Sequence, residues 1–105
     1  GETGIPQYVA TKAGAYSLTR YQAKTYAPLG ILVNAVMPAV IMSDMIMTRY
    51  ASEEEMQAHY IPQMPVRRIG YPEDVANVVL FLCSDLSSYV NGEIIVADGG
   101  RMYVG

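Results

Sequence analysis

Residues 30–36, Gly-Ile-Leu-Val-Asn-Ala-Val, decide how this chain of 105 residues folds. They form an apolar run rich in branched side chains, and no polar residue interrupts it before Asn34. This pattern is typical of a strand that is buried on both faces, as in a parallel sheet, and we predict a strand over 31–36. Residues 93–97, Glu-Ile-Ile-Val-Ala, predict a second buried strand.

Helices are predicted on both sides of the first strand. Residues 8 to about 26 contain no proline, and their alanine, leucine, lysine and arginine favour a long helix. Pro28 and Gly30 should end it, because proline lacks a backbone donor and glycine permits a left-handed turn. Residues 72 to about 85 open with Pro-Glu-Asp, which is typical of the first turn of another helix.

The segment between the first strand and the second helix, about residues 40–65, is rich in methionine. Ser52 and the three glutamates after it predict a short helix over about 52–60, because serine caps a helix and acids favour its positive end. Prolines bound this helix on its carboxyl side. We expect a mobile excursion that could act as a lid over a substrate.

The element order is therefore helix, strand, excursion, helix, strand. A strand, a crossover helix and a parallel strand form a right-handed unit. Two strands alone leave sheet edges and one sheet face uncovered. The predicted fold class is α/β, the carboxy-terminal portion of a doubly wound Rossmann-like parallel sheet. We expect self-association or a partner to complete it.

Composition and charge exclude several classes of function. Seven basic and ten acidic side chains give a net charge of −3, and the basic residues are scattered, so nucleic acid is not an expected partner. Arg67 and Arg68 are adjacent and could meet a phosphate or an acidic partner, but two such charges in a loop are usually solvated. Hydrophobic residues make up 51% of the chain, which is more than a small monomer hides and favours a homo-oligomer.

Membrane, metal and secreted classes are not expected either. The longest apolar stretch, residues 31–42, is interrupted and too short to span a bilayer. His59 is the only histidine, and no second histidine or cysteine lies at metal-ligand spacing, so no metal site is expected. For His59 itself, a surface position is favoured over a contact with the substrate. One cysteine and the lack of a secretion signal favour the cytoplasm.

Tyr8 and Lys12 are the residues most suited to chemistry. They are four residues apart, so a helix places them on the same face, one turn from each other. A tyrosine hydroxyl has a pKa of about 10, and a neighbouring ammonium group lowers it. The lysine can also donate hydrogen bonds to ribose hydroxyls. Such pairs arise by chance on many helices, so the surrounding sequence must decide.

Five blocks resemble the short-chain dehydrogenase/reductase family in their order and spacing, and together they cover nearly the whole chain. They are Tyr-Val-Ala-Thr-Lys-Ala-Gly at 8–14, the block at 30–36, Met-Pro-Ala-Val-Ile-Met-Ser-Asp-Met at 37–45, Pro-Glu-Asp-Val-Ala at 72–76 and Asn-Gly-Glu-Ile-Ile-Val-Ala-Asp-Gly-Gly at 91–100. The closing block with its Asp-Gly-Gly resembles 3-oxoacyl carrier-protein reductases and their sugar- or steroid-oxidising relatives in particular. Those reductases tend to carry a basic residue where this chain has Leu29, which weakens that assignment of substrate.

The resemblance implies an NAD- or NADP-dependent oxidoreductase that moves hydride between nicotinamide and a small carbonyl or alcohol substrate. Tyr8 matches the family's acid/base, and Lys12 matches its partner; both also contact the cofactor. The family segment Pro-Gly-x-(Ile/Val)-x-Thr contacts the nicotinamide carboxamide, and it maps onto Pro38, Ala39, Ile41 and Ser43. Serine keeps the hydroxyl of threonine. Ala39 replaces a glycine, which tolerates positive φ and close approach.

The family's catalytic serine and asparagine and its glycine-rich phosphate loop lie upstream of the tyrosine. We therefore expect residues 1–105 to form the carboxy-terminal half of the family's Rossmann-fold domain, with the nucleotide-binding half absent. The isolated chain is then expected to be inactive and not to bind NAD or NADP by itself. The alternative is a non-catalytic, truncated relative that acts as an oligomerisation or interaction module.

Overall fold

The computed structural model describes residues 6–101, except for the side chain of Tyr8. In chain order it contains α1 (Pro6–Tyr26), β1 (Ala35–Pro38), α2 (Asp44–Met47), α3 (Glu53–Tyr60), α4 (Pro72–Leu82) and β2 (Ile94–Ala97). Single 3-10 turns follow α1 at Ala27–Leu29, α3 at Ile61–Gln63 and α4 at Asp85–Ser87. Within this part of the chain no helix is both long enough and apolar enough to cross a membrane.

The long first helix is confirmed. α1 ends in a 3-10 turn that contains Pro28, and Gly30 then adopts a left-handed conformation with φ of 79°. The Gly30 N–H donates to the carbonyl oxygen of Ala27 at 2.9 Å. A glycine in this conformation closes a helix end without a clash at Cβ, so the local sequence is sufficient to end the helix here.

The parallel sheet is also confirmed, because β1 pairs with β2 in parallel, from Ala35 opposite Ile94 to Pro38 opposite Ala97. The second strand lies where it was predicted. The prediction of a first strand over 31–36 is wrong in its position, since β1 begins at Ala35 and includes Pro38. Proline is tolerated there because it ends the strand.

Two asparagines, Asn34 and Asn91, form side-chain hydrogen bonds at the amino ends of the two strands. Asn34 donates from Nδ2 to the carbonyl oxygen of Val90 at 3.0 Å, and its Oδ1 accepts from the Glu93 N–H at 3.0 Å. Asn91 donates from Nδ2 to the carbonyl oxygen of Ala23 in α1 at 3.0 Å. These side chains add to the backbone bonds at the amino ends of the strands, such as the one from the Ala35 N–H to the Glu93 carbonyl, and attach α1 to the sheet.

The buried core lies within and just after the segment that was expected to be a mobile excursion. Met56 is fully buried, and Ile69 is 2% exposed. The helix predicted after Ser52 is confirmed as α3, and the Ser52 Oγ accepts from the Glu55 N–H at 3.1 Å. The segment also contains a second helix, α2, whose Ile46 and Met47 pack against the core cluster that includes Met56. A lid function for this segment stays a prediction.

Both strands are only half-buried, contrary to the prediction that they are buried on both faces. The reason is that the described chain supplies one pair of strands and too few helices to cover them. Large apolar side chains are correspondingly exposed, including Leu18 (53%) and Tyr21 (68%) on α1 and Leu80 (68%) on α4. The fold therefore presents uncovered faces on both of its longer helices.

Candidate functional site

Tyr8 and Lys12 lie on one unbroken helix, α1, so their spacing places them on the same face. The side chain of Tyr8 lies outside the described residues, and that of Lys12 is exposed. Thr11, between them, donates from Oγ1 to the Gln7 carbonyl at 2.7 Å, which satisfies its hydroxyl locally. The helix is attached to the sheet through Ala23, about three turns beyond Lys12.

The segment Pro38–Ser43 leaves the carboxyl end of β1, which is the edge where ligands bind in open parallel sheets. It is held by Gly70, which pairs with Ile41 in an isolated parallel bridge. The Gly70 N–H donates to the Val40 carbonyl at 3.0 Å, and the Met42 N–H donates to the Gly70 carbonyl at 2.9 Å. These two bonds fix the backbone on both sides of Ile41.

The backbone groups of Ile41 itself point the opposite way. In an extended chain, successive residues direct their N–H and C=O groups to opposite sides, so a residue between two that face Gly70 must face away from it. Neither group of Ile41 has a hydrogen-bond partner among the described residues. Ile41 therefore presents one backbone donor and one acceptor at the carboxyl edge of the sheet.

Ser43 contributes a hydroxyl at the end of the same segment. Its Oγ accepts from the Ile46 N–H at 3.2 Å and so caps α2. The side chain is exposed, and the hydroxyl retains its own hydrogen to donate to a ligand. Helix α2 was not predicted from sequence, although a serine followed by Asp44 is a local capping signal.

Ala39 stands without backbone strain. Arg67, with φ of 61°, is the only non-glycine residue with positive φ in the described part of the chain. Ala39 therefore needs no left-handed conformation, and its Cβ is compatible with this backbone. The replacement of the family's glycine leaves the path from Pro38 to Ser43 intact.

Gly70 needs to be a glycine for a steric reason. A Cβ at this position would lie 2.5 Å from the Cδ1 of Ile41 and 3.3 Å from the Val40 carbonyl oxygen. A side chain here would have to displace the end of the Ile41 side chain and would crowd the Val40 carbonyl oxygen that takes part in the bridge. Sequence reasoning missed this contact because Ile41 and Gly70 are far apart in the sequence.

Arg68 and Asp74 form a bidentate ion pair that we call the clasp. Arg68 Nη1 lies 2.7 Å from Asp74 Oδ2, and Nη2 lies 2.9 Å from Oδ1. Arg68 therefore has an acidic partner within the chain, although its side chain stays 57% exposed. Asp74 Oδ2 also accepts from the Tyr71 N–H at 2.8 Å. Arg68, together with this N–H, lowers the pKa of Asp74 to about 2.

A signal for the clasp was present in the sequence. Asp74 is the third residue of α4, the position from which an acidic side chain reaches back to the N-terminal cap. An arginine shortly before such a cap can form a forked pair with the same carboxylate. The acidic residues after Pro72 were interpreted only as a favourable charge at the helix end.

A cleft of about 170 Å³ opens beside this segment. It is lined by Val40 and Ile41 after β1, by Ala97 and Asp98 at the end of β2, and by the clasp. A turn follows β2 at Asp98-Gly-Gly, with φ of 64° at Gly99 and 87° at Gly100. The cleft therefore lies at the carboxyl ends of both strands.

No group of three or more potential metal-ligating side chains occurs in the described residues. His59 is exposed, as expected for a surface residue, and its ring packs edge-on against Tyr60 with centroids 4.7 Å apart. The groups described above that are suited to chemistry are the Ser43 hydroxyl and the Ile41 backbone groups after β1, and the Lys12 ammonium group on α1.

Comparison with known proteins identifies the family of the chain. The family model described as enoyl-(acyl carrier protein) reductase matches residues 1–102. The chain belongs to the short-chain dehydrogenase/reductase family. Over 100 residues it is 51% identical to a 3-oxoacyl-[acyl-carrier-protein] reductase of Aquifex aeolicus, covering 95% of this chain and 39% of that protein.

Solved structures of short-chain dehydrogenases confirm the Rossmann-like α/β fold. An aldohexose dehydrogenase of Thermoplasma acidophilum superposes with a TM-score of 0.89 at 28% identity, over 100% of this chain and 44% of that one. An Agrobacterium tumefaciens structure, named for a 2-deoxy-D-gluconate 3-dehydrogenase and containing bound NADP, gives a TM-score of 0.84 at 32% identity, over 98% and 42% of the two chains. The chain thus spans about two fifths of the length of these relatives.

Proposed function

We propose that this chain supplies the acid/base and the nicotinamide-end part of the active site of an NAD(P)-dependent oxidoreductase. The observation that carries the proposal is the pair of outward-facing backbone groups of Ile41 at the carboxyl edge of the sheet. A carboxamide has one carbonyl oxygen and one NH₂ group, so it complements one backbone N–H and one C=O. The Ser43 hydroxyl adds a further donor two residues away.

The residues of this chain have distinct roles in the proposed reaction. When bound, the nicotinamide gives hydride to a carbonyl carbon or takes it from an alcohol carbon. The Tyr8 hydroxyl donates its proton to the substrate oxygen during reduction and accepts it during oxidation. The Lys12 ammonium favours the phenolate form of the tyrosine and donates hydrogen bonds to the ribose hydroxyls.

Pro38 and Ala39 shape the turn that brings the backbone to the nicotinamide. Pro38 fixes φ at the end of β1, and Ala39 continues the path without left-handed strain. Together with Ile41 and Ser43 they form the cofactor-binding segment. The reductase of Aquifex aeolicus and the sugar dehydrogenases among the relatives support a small carbonyl or alcohol substrate as the class.

The phosphate-binding part of the site lies outside these residues in our proposal. Residues 1–105 act as the carboxy-terminal half of the family's domain, and a complementary segment, a partner or a second copy completes it. NAD or NADP then binds only to the completed protein, and the 105 residues alone are inactive. The half-buried strands and the exposed face of α1 support this view.

A conservative substitution tests the role of Tyr8. In the full-length protein, Tyr8→Phe should lower kcat for carbonyl reduction by about 10²–10⁴-fold, the usual contribution of a general acid. The dissociation constants of NADPH and NADH should stay within a few-fold of the wild-type values, because only a hydroxyl is removed. Rates with 3-oxo esters and with aldoses, together with NADPH fluorescence titration, measure both quantities.

Tyr16→Phe is the matched control, because it removes the same hydroxyl two turns further along α1. Its kcat should equal that of the wild type. Unchanged turnover in Tyr8→Phe would refute the assignment of the acid/base. A wild-type protein that binds neither dinucleotide would instead favour the interaction module, which the exposed apolar side chains of α1 and α4 also support.

A further inference from the structure

The clasp is close to the cofactor-binding segment, but the proposed reaction does not use it. Its carboxylate accepts three hydrogen bonds, two from the Arg68 guanidinium and one from the Tyr71 N–H. Arg68 Nη1 also donates to the Ile69 carbonyl at 3.1 Å. These bonds tie the start of α4 to the loop before it, so residues 69–71 are closed into a ring with a fixed backbone.

The fixed loop holds Gly70 in place. Ile69, just before it, is 2% exposed and packs in the core with Val40. Tyr71, just after it, is held by Asp74. Burial fixes Ile69 and the clasp fixes Tyr71, so Gly70 between them is held in place. Its two backbone hydrogen bonds in turn fix the positions of Val40 and Met42.

A contribution to global stability does not account for this geometry. The Arg68 side chain is 57% exposed and the Asp74 side chain 37% exposed. Ion pairs at such exposed positions usually add little to the free energy of unfolding. The bidentate fork nevertheless fixes both side chains in one orientation, which is the property required to position a backbone.

We propose that Arg68 and Asp74 are positioning residues for the nicotinamide end of the cofactor. They act through Gly70 and set the direction in which the backbone N–H and C=O of Ile41 point. The inference rests on the proposed function, since it assumes that Ile41 binds the carboxamide. Neither residue touches the reacting atoms, so loss of the clasp should weaken cofactor binding while the fold persists.

The test uses Arg68→Gln and Asp74→Asn in the full-length protein. Asparagine keeps an acceptor for the Tyr71 N–H, so Asp74→Asn removes the ion pair while the helix cap is retained. Both variants should bind NADPH about ten-fold more weakly, because small displacements of a positioning group commonly cost this much or more. Amide hydrogen exchange of the apo protein should become faster at Met42 and Gly70 and stay unchanged in α3.

Two controls distinguish positioning from a general effect of mutation. Arg67→Gln removes the adjacent positive charge, and the Arg67 side chain has no hydrogen bond or ion pair to any residue that the structure describes. Asp74→Glu keeps both the charge and the cap, because glutamate is a usual residue at this helix position. Both should bind NADPH within two-fold of the wild type, by the ordinary scatter of surface substitutions.

The outcomes separate this inference from the proposed function. Equal NADPH affinity in Arg68→Gln and Arg67→Gln, with a wild type that binds, overturns the positioning role alone. If Arg68→Gln and Asp74→Asn both unfold while Asp74→Glu stays folded, the clasp has a purely structural role, and this result also overturns the positioning role. A wild type that binds neither NADPH nor NADH removes the proposed function, and the inference falls with it. Weaker binding with faster exchange at Met42 and Gly70 supports it.

Discussion

Gly70 joins two stretches of the chain that are far apart in sequence. Its backbone bonds to Val40 and Met42, and the Cδ1 of Ile41 occupies the space that a side chain would need. The bridge forms beside the buried core, so a substitution at Gly70 should change both the packing and the direction of the proposed cofactor-binding segment. The effect of a single methyl group is therefore measurable in two ways.

Gly70→Ala should destabilise the protein by about 1–3 kcal/mol, as overpacking usually does. The new Cβ would lie 2.5 Å from the Ile41 Cδ1, so that side chain must move, and 3.3 Å from the Val40 carbonyl oxygen, which is part of the bridge. Urea unfolding measures the change in free energy. Because the proposed cofactor contact at Ile41 depends on the same bridge, NADPH affinity should fall as well.

Gly14→Ala is a control at a position where a side chain has room. A Cβ at Gly14 meets nothing within 4 Å, and the residue lies inside α1. Alanine should therefore stabilise the helix by about 0.5–1 kcal/mol, the usual difference between these residues in a helix interior. Equal unfolding free energies for Gly70→Ala and the wild type would contradict the steric account of the bridge.

At the scale of elements, the start of α4 depends on an ionised carboxylate. Arg68 and the Tyr71 N–H lower the pKa of Asp74 to about 2, below the ordinary value of about 3.9. A carboxyl whose pKa is lower in the folded state stabilises the fold above its unfolded-state pKa. That contribution is lost as the pH falls from about 4 toward 2.

The stability difference between the wild type and Asp74→Asn should therefore shrink as the pH is lowered from 5 to 2. It should also shrink with added salt, because the pair is partly exposed and is screened. Denaturant unfolding at each pH measures the difference. A difference that is constant across this range would show that the clasp does not stabilise the start of α4.

Most of the helices and strands could be predicted from the sequence. α1, α3, α4 and β2 were located correctly because their signals are local: Pro28 and Gly30, Ser52, Pro72, and a short apolar run. The start of β1 was misplaced because it depends on a distant residue. Asn91 accepts from the Val33 N–H across 58 residues of sequence, and no local pattern encodes that bond.

The candidate site was predictable to a similar extent. The family resemblance located Ile41 and Ser43 by their position in a block, and the helix gave the spacing of Tyr8 and Lys12. The bridge at Gly70 and the clasp were missed, because a steric gap and a forked ion pair depend on three-dimensional contacts. The sequence thus predicted the segment that we propose as the cofactor-binding site, while the groups that we propose to orient it required the structure.

At the scale of the whole molecule, the described fold is less compact than a typical domain. Its radius of gyration is 15.9 Å, whereas a compact domain of this length has about 13 Å. Apolar side chains lie on the outside, including Leu80 at 68% exposure, Leu86 at 83% and Tyr89, which is fully exposed. Apolar surface of this kind usually marks an interface.

We therefore predict that the 105-residue chain self-associates at micromolar concentration. Sedimentation velocity should show a dimer or larger species, and Leu80→Glu should shift the distribution toward monomer, because it places a charge on the exposed apolar face of α4. Ala58→Glu adds the same charge at an exposed position of α3, where the surrounding surface is already acidic, and should leave the distribution unchanged. A wild-type chain that sediments as a monomer would mean that its exposed helices do not pair with a second copy.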